Sequence, residues 1–329
     1  MNGTNEFLVA ARQRLDMGDT RTLSRRYQQG ELVRVRKGIY LDKKLWLSLK
    51  PWQRYRASIR AVALELPAAQ FCFETAALIW GLQLVGVPRH IHLANSSRGH
   101  AGIRAPTTAA ALLPSTGATG LENIRAYGIY RHLYTANTAP FGGLVVTELH
   151  RTAVDVMSRV SFSKAVVLAD HILSTDRFPG LATSKDELLF AAEYLKSGAK
   201  RRRVGDILDF ADERSGSAGE SLSRAQIHML GLPAPELQSE FSDASGFVAR
   251  SDFFWRQKRL IGEFDGDAKY LNDEYLGGRT AREAVVAEKK REDRLRALGF
   301  QVVRWDWATA SDPAKLLAKL TAAGLAGKH

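Results

Sequence analysis

The chain has 329 residues, 45% hydrophobic and 25% charged, with 27 glycines against 10 prolines, a length for two or three domains and a composition that excludes collagen-like, mucin-like and coiled-coil classes. No run approaches ~18 consecutive apolar residues, and the start MNGTNEFLVAARQR offers no small-residue cleavage site, so the expectation is a cytoplasmic protein without a membrane partner. The net charge is +12, and residues 1–65 hold 14 Lys/Arg against 6 Asp/Glu while residues 216–329 hold 17 against 16, which places the basic excess at the front and favours a polyanion partner there.

The first predicted element is a helix over 5–15, where Phe7, Leu8, Ala11 and Leu15 recur at helical spacing before Gly18. Asp19 or Thr20 is placed to cap a second helix through TRTLSRRYQQ, ended by Gly30. LVRVR, Lys37-Gly38 and IYL then read as a hairpin with basic residues at its tip. Helix, turn, helix and wing is a DNA-reading order. Arg21, Arg25 and Arg26 on the second helix reach for phosphates or guanine edges, and Arg34, Arg36 and Lys37 on the wing follow the adjacent backbone. Pro51 opens an amphipathic helix whose apolar residues belong to a core. The run RTLSRRYQQGELVRVRKGIYL resembles the N-terminal winged-helix segment of AbiEi-type antitoxin and regulator proteins over about 40 to 60 residues. That resemblance implies DNA binding, often autoregulatory, with a toxin protein as a candidate partner.

Residues 67–215 mix helical runs (FETAALIWGL, ELHRTAVDVMSRV, FSKAVVLADHIL, KDELLFAAEYL) with strand-like pieces (HIHLA, NIRAYGIYR, GLVVT), the pattern of an α/β domain. His90 and His92 share a strand face, but no third ligand lies near in sequence, and a histidine pair without metal is the default. Cys72 is the sole cysteine, so neither an internal disulfide nor a cysteine-based zinc site is available. Lys200 to Arg203 reads equally as a solvated helix end and as a DNA contact. The stretch ELHRTAVDVM also resembles the middle part of the antitoxin family, with no chemistry attached.

Ser215-Gly-Ser-Ala-Gly219 reads as a linker, giving domains over 1–66, 67–215 and 216–329. After it the order is helix, three strands, helix, strand, helix. A two-residue turn at Gln257–Lys258 sets Phe253 opposite Gly262 and Asp252 opposite Glu263. Opposed carboxylates repel unless a positive group lies between them, and a divalent cation supplies one; Asp265, two residues on, shares the face and adds a third oxygen ligand. The alternative makes these acids partners of Arg250 and Arg259. Glu220, three residues after Ser217, fits a capping box or an ion pair with Arg224 as well as a site role.

Glu220, Asp252 in SDFFW, Glu263-Phe-Asp265-Gly266, Lys269 and the closing KKREDRLRALGFQVVRWDW together resemble the PD-(D/E)XK nuclease superfamily, specifically relatives of the very-short-patch-repair endonuclease, over nearly all of residues 216–329. The resemblance implies a restriction-endonuclease-like αβββαβ domain in an α+β multidomain protein. It also implies Mg2+ (or Mn2+) held by the hairpin acids, and DNA phosphodiester hydrolysis in defence or repair. In that superfamily a lysine stands two residues after the second acid; here that position is Asp265, so the positive charge falls to Lys269 and then to Lys289 or Lys290. The rival reading is a non-enzymatic regulator or antitoxin that keeps the nuclease fold without its lysine.

Overall fold

The computed structural model describes residues 7–9, 21–105, 126–266 and 281–326. The described residues form a mixed α/β structure with three sheets, and the chain divides into two compact units, Met1–Thr152 and Ala153–His329. Among the described residues no helix is long and apolar enough to cross a membrane.

In the first unit, strand β1 (Leu8–Val9) precedes helix α1 (Arg21–Gln28), β2 (Leu32–Arg36) and β3 (Ile39–Asp42). Leu8 and Val9 pair with Tyr40 and Ile39, so this part of the helix expected over 5–15 is extended instead, its backbone hydrogen bonds going to the hairpin. The remainder of that expected helix, with Asp19 and Thr20, lies outside the described residues. Helix α1 ends as expected at Gly30, whose φ of 81° closes the last turn, and Gly38 (φ 71°) turns the hairpin. Val33, Val35, Ile39 and Leu41 pack with Trp46 of α2 (Lys43–Ser48) and Ala61 of α3 (Pro51–Glu65). Asp42 caps α2 by accepting from the Lys44 and Leu45 N–H groups, and Pro51 occupies the first turn of α3, where its missing N–H costs nothing.

The second sheet has order β6-β7-β5-β4-β9-β8, built from β4 (Gln70–Phe71), β5 (His90–Asn95), β6 (Gly102–Arg104), β7 (Gly128–Leu133), β8 (Thr138–Phe141) and β9 (Leu144–Thr147). Helix α4 (Phe73–Trp80) follows β4. Gly142 and Gly143, both at positive φ, make the two-residue turn joining β8 to β9. Helix α5 (Leu149–Met157) runs across the division between the units.

The second unit contains α6 (Phe162–Leu173), α7 (Lys185–Ala192), α8 (Gly198–Phe210) and α9 (Ala218–Met229). Next come β10 (Glu236–Asp243), β11 (Gly246–Trp255), β12 (Leu260–Phe264), α10 (Ala281–Ala297), β13 (Gln301–Trp305), α11 (Trp307–Ala310) and α12 (Pro313–Ala322). The helix-strand order from Ala218 onward follows the sequence reading, with α11 as an added short helix that the reading did not include. The sheet runs β10-β11-β12-β13, antiparallel except for the parallel pair β12–β13. One face carries α9. Gly219 sits so close to Phe264 that a Cβ there would fall 2.0 Å from the ring, and Trp305 Nε1 donates to Ser223 Oγ at 2.8 Å. The other face carries α10, whose Leu295 joins Ile261, Phe254 and Phe241 in the core.

The run Ser215–Gly219 lies inside the second compact unit. Arg224 of α9 donates to both carboxylate oxygens of Asp170 of α6 at 2.8 and 2.9 Å, and Asp170 Oδ1 also accepts the Asp212 N–H. Both partners are buried, so residues 153–215 and the sheet module form one unit. Small residues there serve close packing and a helix start: Gly219 allows the approach to Phe264, and Ser217 Oγ accepts the Glu220 N–H.

Candidate functional site

The basic residues of the first unit divide by environment. Arg25 is exposed, Lys37 is exposed at the hairpin turn, and Arg26 is half-buried and pairs with Glu31 at 2.8 Å. Arg34 lies over the Tyr27 ring, 5.4 Å from its centre. Arg36 departs from expectation: it is buried and donates to Glu65 Oε2 at 2.5 Å. A register shift in β2 between Arg34 and Arg36 breaks the alternation that had put both on one outer face. The side chain of Arg21 lies outside the described residues. The Lys200–Arg203 run is spent partly on structure, with Arg201 donating to the Leu195 carbonyl and Arg203 to those of Met157 and Val160.

The acidic residues converge on β11 and β12. Phe253 pairs with Gly262 in the expected register, but the connection is longer than two residues. Arg256–Lys258 forms a 3₁₀ turn and Arg259 takes a left-handed conformation (φ 47°), held there because its guanidinium donates to the Leu298 and Gly299 carbonyls at the end of α10. Described pairing stops at Phe253↔Gly262, and one residue further the Phe264 N–H donates to Asp252 Oδ2 at 2.8 Å. By strand alternation Asp252 shares a face with Phe254, and Glu263 shares one with Ile261; both are the α10 face, so the two acids lie on one side of the sheet. The Asp265 N–H donates to the Trp305 carbonyl, which carries the β12–β13 pairing past Phe264.

Glu263 is 5% exposed and fully engaged. Arg291 of α10 donates to both of its oxygens at 2.9 Å, and Arg304, its direct neighbour in the parallel β12–β13 register, lies 3.0 Å from Oε2. Glu288 accepts from both arginines, and Glu292 lies 3.3 Å from Arg304. Burial works against the Glu288 charge, but hydrogen bonds from Arg291 and Arg304 outweigh it and hold its pKa at about 2. Burial also opposes both guanidinium charges, and the carboxylates around them raise their pKa values above the usual arginine value. The sequence reading missed Arg291, Arg304, Glu288 and Glu292. Their signal was present, since Glu288, Arg291 and Glu292 fall on one helix face and Arg304 shares a strand face with Val302.

Glu220 ties the start of its helix to β10: its Oε2 accepts the Gly216 N–H at 2.7 Å and a bond from Gln238 Nε2 at 3.0 Å. The ion pair considered with Arg224 is not formed, because Arg224 is taken by Asp170. Lys269 lies outside the described residues, and Lys289 and Lys290 are exposed on α10. Among the described residues no three His, Cys, Asp or Glu side chains gather as a metal-holding group. His92 does not work with His90; its Nδ1 is 2.8 Å from His132 Nε2, and Glu74 lies 3.7 Å from its Nε2.

No family model matches the chain. Two curated relatives from strains of Mycobacterium tuberculosis, "Uncharacterized protein MT2308" and "Uncharacterized protein Rv2248", are each 30% identical over 161 residues, which is 49% of this chain and 54% of theirs. The chain thus spans about half the length of the curated relatives it matches. A solved structure, that of the RV2827C protein from the same species, matches with a TM-score of 0.35 and 13% identity over 66% of this chain and 75% of that one.

Proposed function

We propose that the protein is a cytoplasmic DNA-binding protein in which an N-terminal winged helix brings DNA to a restriction-endonuclease-like module that hydrolyses its phosphodiester bonds. The observation that carries this reading is the placement of Asp252 and Glu263 on one face of adjacent strands, in a four-stranded sheet with a helix on each side. The residues that would hold Mg2+ or Mn2+ are the hard carboxylates Asp252 and Glu263 from neighbouring strands and Asp265 just past β12, with Glu263 held by Arg291 and Arg304 in this structure. When bound, such an ion polarises a phosphate and makes water a better nucleophile. Asp252 is oriented by the Phe264 N–H, while Arg291 and Arg304 fix the Glu263 carboxylate. Support for the DNA-binding part is the basic excess of residues 1–65 and the exposure of Arg25 and Lys37 beside the hairpin.

The test is plasmid and single-stranded DNA incubated with Mg2+ or Mn2+. Asp252→Ala and Glu263→Ala are each expected to lower cleavage by about 10²-fold or more while DNA retention persists. A second reading, a non-enzymatic regulator or an antitoxin that contacts a toxin protein, is favoured by Asp265 at the lysine position and by the two arginines on Glu263. It predicts firm DNA retention with no metal-dependent cleavage of either DNA form.

A further inference from the structure

In the first unit a cavity of about 550 Å³ lies between one face of α3, the end of α4 and the β8–β9 turn. Its walls are mostly apolar: Phe7, Leu64 of α3, Leu78 and Trp80 of α4, and Phe141 and Leu144 beside the Gly142-Gly143 turn. Trp80 is a fixed wall, because its Nε1 donates to the Thr147 carbonyl at 2.8 Å and its ring centre lies 4.3 Å from that of Phe141. Leu64 is 40% exposed, so water touches apolar surface that a ligand would cover. The charged residues of the wall are Arg56 and Arg60, one helical turn apart on α3. Like charges at that spacing repel, and no acid among the described residues lines the cavity to offset them. Arg56 lies over the Trp52 ring, 5.4 Å from its centre. Arg60 is half-buried and, among the described residues, its guanidinium has neither an ion pair nor a hydrogen-bond acceptor. An anion gains more from a guanidinium partly withdrawn from water than from a fully solvated one.

We infer that this cavity binds a small amphipathic anion, a medium-chain fatty carboxylate, with its hydrocarbon tail against Leu78, Trp80 and Phe141 and its carboxylate on Arg60 and Arg56. The volume falls within the range of about 300–1,000 Å³ typical of small-molecule sites. A neutral apolar ligand leaves the two guanidiniums repelling each other, and a cation adds a third like charge, so the lining selects the anion. The site belongs to the first unit and does not depend on the role of the acids in β11 and β12.

The experiment is isothermal titration of the full-length protein with octanoate, octanol and octylammonium, each below its micelle or solubility limit. Octanoate is expected to bind once per chain, about tenfold or more tighter than octanol, with octylammonium weakest. Arg60→Gln is expected to bring the octanoate affinity down toward that of octanol while leaving octanol binding unchanged. Ala63→Phe, which fills the cavity from α3, is expected to weaken both. Should either variant lose its thermal transition, the wild-type ranking of the three ligands decides alone. Equal affinity for octanoate and octanol, or binding of neither, overturns the assignment, as does a preference for octanoate that survives in folded Arg60→Gln. A concentration-dependent dimer that Leu64→Glu dissolves, with no octanoate bound, overturns it too and gives the face to a second copy of the chain.

Discussion

Arg34 and Arg36 stand two positions apart and belong to different kinds of chemistry. Arg34 lies on the Tyr27 ring near the exposed hairpin, whereas Arg36 is buried against Glu65. Arg34→Ala combined with Lys37→Ala is expected to weaken DNA binding and flatten its dependence on salt, because each lost phosphate contact removes released counterions. Arg36→Ala is expected to cost about 1–3 kcal/mol of stability, read as a lower Tm, by stranding the Glu65 carboxylate. The alternation in LVRVR was legible; the register shift that turned Arg36 inward was not, since nothing in five residues announces which partner strand will slip. His171 gives a prediction of another kind. Burial first, and then the neighbouring Arg177 charge, push its pKa down from 6.5 to about 4. The unfolded chain then binds the extra proton between those two values, so stability is full above about pH 6.5 and falls as pH drops toward 4. The loss is on the order of 3 kcal/mol. Urea titrations across that range should show the slope, and His171→Asn should flatten it.

At the scale of elements, most strands and helices from Ala218 onward were legible because short apolar-rich runs such as FVARSDFFW and RLIGEF stand out, as does the long charged run before QVVRW. The charge network around Glu263 was hidden for the opposite reason. Its members lie 28 and 41 positions away along the chain, brought together only by the parallel β12–β13 register and the docking of α10. Two glycines show how tightly this region is built. A Cβ at Gly262 would come within 2.7 Å of the Trp305 ring and 3.0 Å of Trp255, and one at Gly219 would overlap Phe264. Gly219→Ala and Gly262→Ala are each expected to cost about 1–3 kcal/mol through overpacking, seen as a drop in the thermal transition. An unchanged transition in either variant would mean that the indole or phenyl ring has room to move.

At the scale of the molecule, the division after Thr152 matters more than any boundary visible in composition. Serine and glycine around 215–219 looked like a joint because those residues are common in linkers; here they accommodate a ring and start a helix. The pair that spans this run, Arg224 with Asp170, is 7% and 0% exposed, and breaking one side of a buried pair typically costs about 3–5 kcal/mol. Asp170→Asn should therefore lower the unfolding midpoint of the second unit well beyond what a surface change does, measured by chemical denaturation with tryptophan emission as the probe. The same pair dictates how the protein can be recombined with others. A chimera spliced at Ser215 would send the guanidinium into one parent and strand its carboxylate in the other, whereas a graft that starts at Ala153 transplants both halves of the bond intact.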